Sequence, residues 1–118
     1  MKEGALAKLM IATMIVDSHI DEREHDAISG AIKLLGISDQ EVAVILKESE
    51  FINGAAEVLE WSKPAIKTLR DLNDSDICSI AIANMVLVAC ADNIVKDVEE
   101  AFIEATAKSL GVPFPVRR

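Results

Sequence analysis

The chain predicts an all-α fold: a single-domain bundle of about six to seven helices with an internal pseudo-two-fold helix–turn–helix repeat. Three observations carry that reading. Apolar residues recur at helical spacing along the 118 residues. Aromatic residues make up only 3%, with no Tyr, whereas strand-rich domains lean on aromatic and β-branched side chains. The same pattern of acidic turn, apolar stripe and Leu-Gly stop occurs twice, 75 positions apart.

The first helix is expected over about Glu3 to Val16, with Ala5, Leu6, Leu9, Met10, Thr13 and Met14 at helical spacing. It stops at Asp17-Ser18-His19. Asp21 reads as the N-cap of the second helix and Glu24 as its capping-box partner. Ala27, Ile28, Ala31, Ile32 and Leu35 form one stripe, and Gly36 suits the residue just past a helix end. Ser38 and Glu41 repeat the capping box and open a third helix to about Ser49, with Val42, Ile45 and Leu46 inward. A fourth helix covers about Ala55 to Leu72. Pro64 either kinks it or starts a new helix capped by Ser62, and both options stay open. Asn73-Asp74-Ser75-Asp76 begins the fifth helix, apolar nearly all round and expected to be the most buried. Asp92-Asn93 ends it. The sixth helix spans about Asp97 to Leu110, with Val98, Phe102, Ala105 and Leu110 inward. Gly111, Pro113 and Pro115 stop it.

The repeat needs no gap. Met10 aligns with Met85, Asp17 with Asp92, Glu24 with Glu99, Ile28 with Ile103, Lys33 with Lys108, Leu35 with Leu110 and Gly36 with Gly111. The domain is therefore placed at residues 1–112, with repeat units about 5–37 and 80–112 linked by helices in 38–72, and a tail at 113–118.

Composition bounds the function. Hydrophobic residues at 51% suit a packed core, and charged residues at 27% argue against a membrane protein. The net charge of −8 disfavours nucleic acid, which needs clustered Lys and Arg. It suits cations or basic partners, and it also serves solubility. Cys78 and Cys90 lie twelve residues apart, roughly 18 Å along a straight helix and too far to bridge. They read as small buried hydrophobes in a reducing compartment. The apolar run Ile77 to Ala91 is 15 residues, short for a bilayer span. Met1-Lys2-Glu3-Gly4 lacks the basic start of a secretion signal, so the expected location is cytoplasmic, without membrane insertion.

The two acidic turns resemble the TerB-like family (tellurite resistance protein TerB and the N-terminal region of the DjlA co-chaperone). The matching residues are Val16-Asp17-Ser18-His19-Ile20-Asp21 with Glu24, and Ala91-Asp92-Asn93-Ile94-Val95 with Glu99. The family's Gly after Asp is Ser18 in one half and Asn93 in the other. The resemblance implies an all-helical domain over most of the chain, with acidic surface residues linked to metal binding.

A hard ion such as Ca²⁺ takes six to eight oxygens. The candidate metal residues are Asp17, Asp21, Glu24, Asp92, Asp97 and Glu99. Glu22, Glu100 and Trp61 are candidates for partner contact. The turns are not EF-hands: Ile28 stands where the twelfth-position Glu belongs. Capping and solvation is the competing reading of these carboxylates. Trp61 has a half-buried core role as its alternative. His19 and His25, six apart, do not share a helix face, which disfavours zinc.

No nucleophile–base pair, phosphate loop or His-Glu-x-x-His is present. The expected function is a non-catalytic TerB-like interaction module with a protein partner, in a tellurite or stress response. The alternative is a divalent-cation sensor or buffer. A metal-dependent hydrolase is the remote third.

Overall fold

The computed structural model describes residues 2–16, 22–90 and 97–113, and the side chains of 2, 3 and 22–27 lie outside that description. The described residues form six helices and no strand. They are α1 (Lys2–Ile15), α2 (Glu22–Leu35), α3 (Asp39–Ser49), α4 (Gly54–Asp71), α5 (Ser75–Cys90) and α6 (Asp97–Leu110).

The centre of the bundle is α1. Every residue from Ala5 to Val16 is buried except Lys8. The other five helices all pack on it, α4 most extensively. Such burial is possible because this stretch carries one charge and one hydroxyl. The hydroxyl is satisfied inside the helix: Thr13 Oγ1 donates to the Leu9 carbonyl at 2.8 Å, so no polar group is stranded. The expectation that α5 is the most buried helix is corrected here. α5 packs on α1, α2, α6 and, lightly, α4, and leaves Ile80 and Leu87 43% and 54% exposed. A helix that is apolar all round need not be enclosed all round. Position in the bundle decides that.

The helix ends follow their local chemistry. Ser38 caps α3, its hydroxyl accepting from the Glu41 amide at 3.2 Å. Asp74 starts α5, Oδ1 accepting from the amides of Asp76 and Ile77 at 3.0 and 3.3 Å. Gly36 and Gly111 both adopt a left-handed φ, 73° and 74°. At each, the glycine amide donates three residues back and the next amide donates five residues back: Ile37 to Ile32 at 3.2 Å, and Val112 to Ala107 at 3.0 Å. This is the Schellman arrangement. α2 and α6 thus begin, end and cap at positions 75 apart, and α1 and α5 end 75 apart.

Pro64 lies inside α4, which continues through it from Gly54 to Asp71. The option of a new helix capped by Ser62 is overturned. Ser62 is buried, and its hydroxyl donates to the Val58 carbonyl at 2.8 Å. The proline withholds one helical hydrogen bond, and burial of Val58, Ala65, Ile66 and Leu69 against the core holds the helix together despite that loss.

Among the described residues, no helix is long and apolar enough to cross a membrane. Both thiols are free, Cys78 buried and Cys90 half-buried. Burial pushes the Cys78 thiol above its usual range, and the nearby Asp74 charge adds to the effect. The tail at 114–118 and the junctions at 17–21 and 91–96 lie outside the described residues.

Two measurements check this architecture. Gly30 is exposed inside α2, with nothing near the position a Cβ would take. Gly30→Ala is expected to raise unfolding stability by about 0.5–1 kcal/mol. Gly36→Ala, at positive φ, is expected to cost roughly 1–2 kcal/mol, both read by urea unfolding. In thiol titration of the native protein, Cys90 should react well before Cys78, and denaturant should equalise them.

Candidate functional site

Two regions hold the residues singled out by the sequence. The first is the acidic start of α6 with its counterpart at α2. Asp17, Asp21 and Asp92 lie outside the described residues, as do the side chains of Glu22 and Glu24. Asp97, Glu99 and Glu100 all sit in the first turn of α6, where the helix dipole favours negative charge.

Their environments differ. Asp97 is exposed and Glu100 half-buried, whereas Glu99 is 0% exposed. Reading all these carboxylates as solvated is therefore corrected for Glu99. It belongs to the inward stripe of α6 with Phe102, Ile103, Thr106, Ala107 and Leu110. Val98 and Ala105, expected inward, are only half-buried. The signal was present, since Glu99 stands three and four residues before Phe102 and Ile103, the spacing of one helix face. Among the described residues, no three His, Cys, Asp or Glu side chains come together as a metal site.

The second region is a cleft over the N-terminal half of α1. α3 brings its backbone close to α1 and to no other helix, while α4 lies along α1 separately. The two consecutive helices flank α1 without closing over it. The opening is a cavity of about 560 Å³. Gly4, Ala5 and Lys8 of α1 form its floor, Val44 and Ile45 one wall, and Pro64, Ala65 and Thr68 the other. Ser38, Gln40, Glu41 and Glu48 complete it from the α3 side. The floor is low because Gly4 has no side chain. A Cβ there would come within 3.0 Å of the Glu41 carboxylate.

Trp61 stands beside this cleft. Its indole N–H donates to Glu48 Oε1 at 3.0 Å, tying α4 to α3. Lys8 Nζ lies 4.9 Å from the centre of its ring, within cation–π range. The ring is half-buried and packs against the core, so it combines the two roles the sequence left open. The Ser38–Glu41 pair also departs from the expected reciprocal box. The Ser38 hydroxyl donates to Glu41 Oε1 at 3.4 Å, while the other carboxylate oxygen lies over Gly4.

Sequence reasoning missed Gly4, Glu41, Val44 and Glu48 as a group. The available signal was Val44, an apolar residue off the inward stripe of α3 and 55% exposed. Their convergence depends on α3 folding back over α1, which no local pattern encodes.

The described residues define a small all-α domain in which five helices pack around one buried helix. Residues 3–114 match the family model described as Tellurite resistance protein TerB, and the chain belongs to that family. No curated protein and no solved structure matches it.

The geometry at Trp61 can be tested directly. Trp61→Ala should cost about 2 kcal/mol, less than the ~3–5 of a fully buried aromatic. Glu48→Gln, which keeps an acceptor for the indole, should stay within about 0.5 kcal/mol of the parent, as surface changes usually do. A Glu48→Gln loss as large as that of Trp61→Ala would mean that the bond is not the exposed tie described here.

Proposed function

We propose that the protein is a non-catalytic interaction module of the TerB family, acting with a protein partner in a tellurite or stress response. One observation carries the reading: large apolar side chains stay in solvent on a strongly acidic chain. Leu34 is 89% exposed, Phe51 76%, Val44 55% and Leu87 54%. Single exposed apolar residues are ordinary. Here Val44 borders a cleft, and Phe51 immediately precedes Ile52, which with Trp61 lines a second hollow. Concave surfaces with apolar walls are places where partners bind. Membership of a family described by tellurite resistance supports the physiological setting. A cytoplasmic location belongs to the same reading.

A second reading, a divalent-cation sensor or buffer, has its own support. The first turn of α6 carries three carboxylates directly after the junction at 91–96, one of them fully buried. An ion held by Asp92, Asp97 and Glu99, with Asp17, Asp21 and Glu24 as the counterpart set, would tie each junction to the helix that follows. A metal-dependent hydrolase has no such support and is not proposed.

Complementation separates these readings. In cells lacking the chain, the parent protein should restore tellurite tolerance. At least one of Val44→Lys, Phe51→Lys and Leu87→Lys should fail to do so while unfolding at the parent temperature. Full tolerance with all three would overturn the interaction reading. Tolerance unchanged by loss of the chain would remove the tellurite setting. For the cation reading, millimolar Ca²⁺ or Mg²⁺ should raise the unfolding midpoint by several degrees through mass action. Neither ion should shift Asp92→Asn together with Glu99→Gln to the same extent. An unmoved midpoint with Ca²⁺, Mg²⁺ and Zn²⁺ would end that reading.

A further inference from the structure

We infer that the cleft between α3 and α4 is the docking site for a cationic amphipathic segment of a partner protein. Apolar anchors of that segment would lie over Gly4, Ala5 and Val44, and its Lys or Arg side chains would reach Glu41 and Glu48. This deepens the interaction reading above and rests on it.

Shape is the first argument. The cleft has a floor of small residues, two helical walls and a volume of about 560 Å³, within the ~300–1,000 Å³ typical of binding pockets. Amphipathic helices commonly seat their apolar faces in grooves of this kind. The α3 and α4 backbones do not approach each other, and the cleft stays open between their side chains.

Charge selects the occupant. Two carboxylates and one ammonium line the cleft. The ammonium, Lys8, is drawn over the Trp61 ring at 4.9 Å. The lysines on the α4 side are engaged along their own helix: Lys63 with Glu60 at 2.7 Å and Lys67 with Asp71 at 3.1 Å. On the α3 side, Asp39, Glu41 and Glu48 outnumber Lys47. The whole chain carries −8, which steers a cationic segment toward it and repels an acidic one. Glu41 and Glu48 already hold defined positions through Ser38 and Trp61. They need little reordering to accept a Lys or Arg.

Trp61 is the sole tryptophan and reports on the cleft through its bond to Glu48. The experiment titrates the intact protein with a short amphipathic Leu/Lys peptide, following Trp61 emission, with a Leu/Glu peptide as the comparison. The Leu/Lys peptide should give a saturable change that weakens with salt, and the Leu/Glu peptide none. Val44→Lys should abolish saturation, and Ile80→Lys, on the exposed side of α5, should leave it unchanged. Glu41→Gln with Glu48→Gln should weaken binding about tenfold, consistent with losing two partly exposed ion pairs.

Four results would each overturn the proposal. They are no saturable change, equal response to the two peptides, unchanged binding by Val44→Lys, or a concentration-dependent dimer that Val44→Lys dissociates. The last would assign the cleft to a second copy of this chain. Failure here with loss of tolerance in Phe51→Lys or Leu87→Lys cells would leave the interaction reading standing on another face.

Discussion

The structure depends on enclosing one helix. From Ala5 to Val16, eleven of twelve residues are buried, so α1 must be covered on nearly every side. Each large apolar side chain buried there contributes roughly 1.5–3 kcal/mol, and no single neighbour can bury them all. The remaining helices are arranged as a sheath, and their contacts follow from that demand. α4 supplies the longest wall, α5 and α2 another, α3 a short flap and α6 the least. The one polar side chain fully inside α1, Thr13, is tolerated because its own helix satisfies it. Lys8, the one residue of the stretch not buried, marks where the sheath is incomplete. The opening between α3 and α4 and the charge in the middle of an apolar helix are two views of the same feature. A charged residue at a covered position would have cost several kcal/mol.

The fold was largely legible because it is written in local chemistry. Helix ends came from Ser38, Asp74, Gly36 and Gly111, whose caps depend on residues within a few positions of each other. The bounds of α6 match the expected Asp97 to Leu110. What failed was global. The fifth helix looked the most buried because it is the most apolar, yet burial is set by neighbours, and α5 lacks one on the Ile80–Leu87 side. Pro64 left a continuous helix and a boundary both open in the sequence, and tertiary burial of α4, which outweighs one missing hydrogen bond, decides for the continuous helix. Of the site, Glu99 was named but its burial was not foreseen, because its charge obscured its place on the apolar stripe. The cleft was invisible, since Gly4, Val44 and Pro64 are far apart in sequence and meet only through α1.

The cleft and the acidic start of α6 are built from different residues. The cleft opens over Gly4 to Lys8. The first acidic junction begins just beyond Val16, after some twelve more residues of helix from Gly4, roughly 18 Å. They differ in kind as well as place. The start of α6 is carboxylate-rich and suits hard charge, whereas the cleft pairs an apolar floor with two carboxylates at its side. A cation at the junctions and a peptide in the cleft would therefore not compete for the same groups.

That geometry also explains why the surface chemistry is divided as it is. Carboxylates at the first turns of α3 and α6 stabilise the helices they begin, so acid at these places has a structural reason before any ligand is considered. Glu48 has a different one. It lies in the last turn of α3, where the helix dipole disfavours negative charge. Its bond to Trp61 ties α4 to α3 and is of a size to offset that cost, since a hydrogen bond to a charged group contributes about 1.5–3 kcal/mol against roughly 0.3–1 kcal/mol for an exposed charge at a helix end.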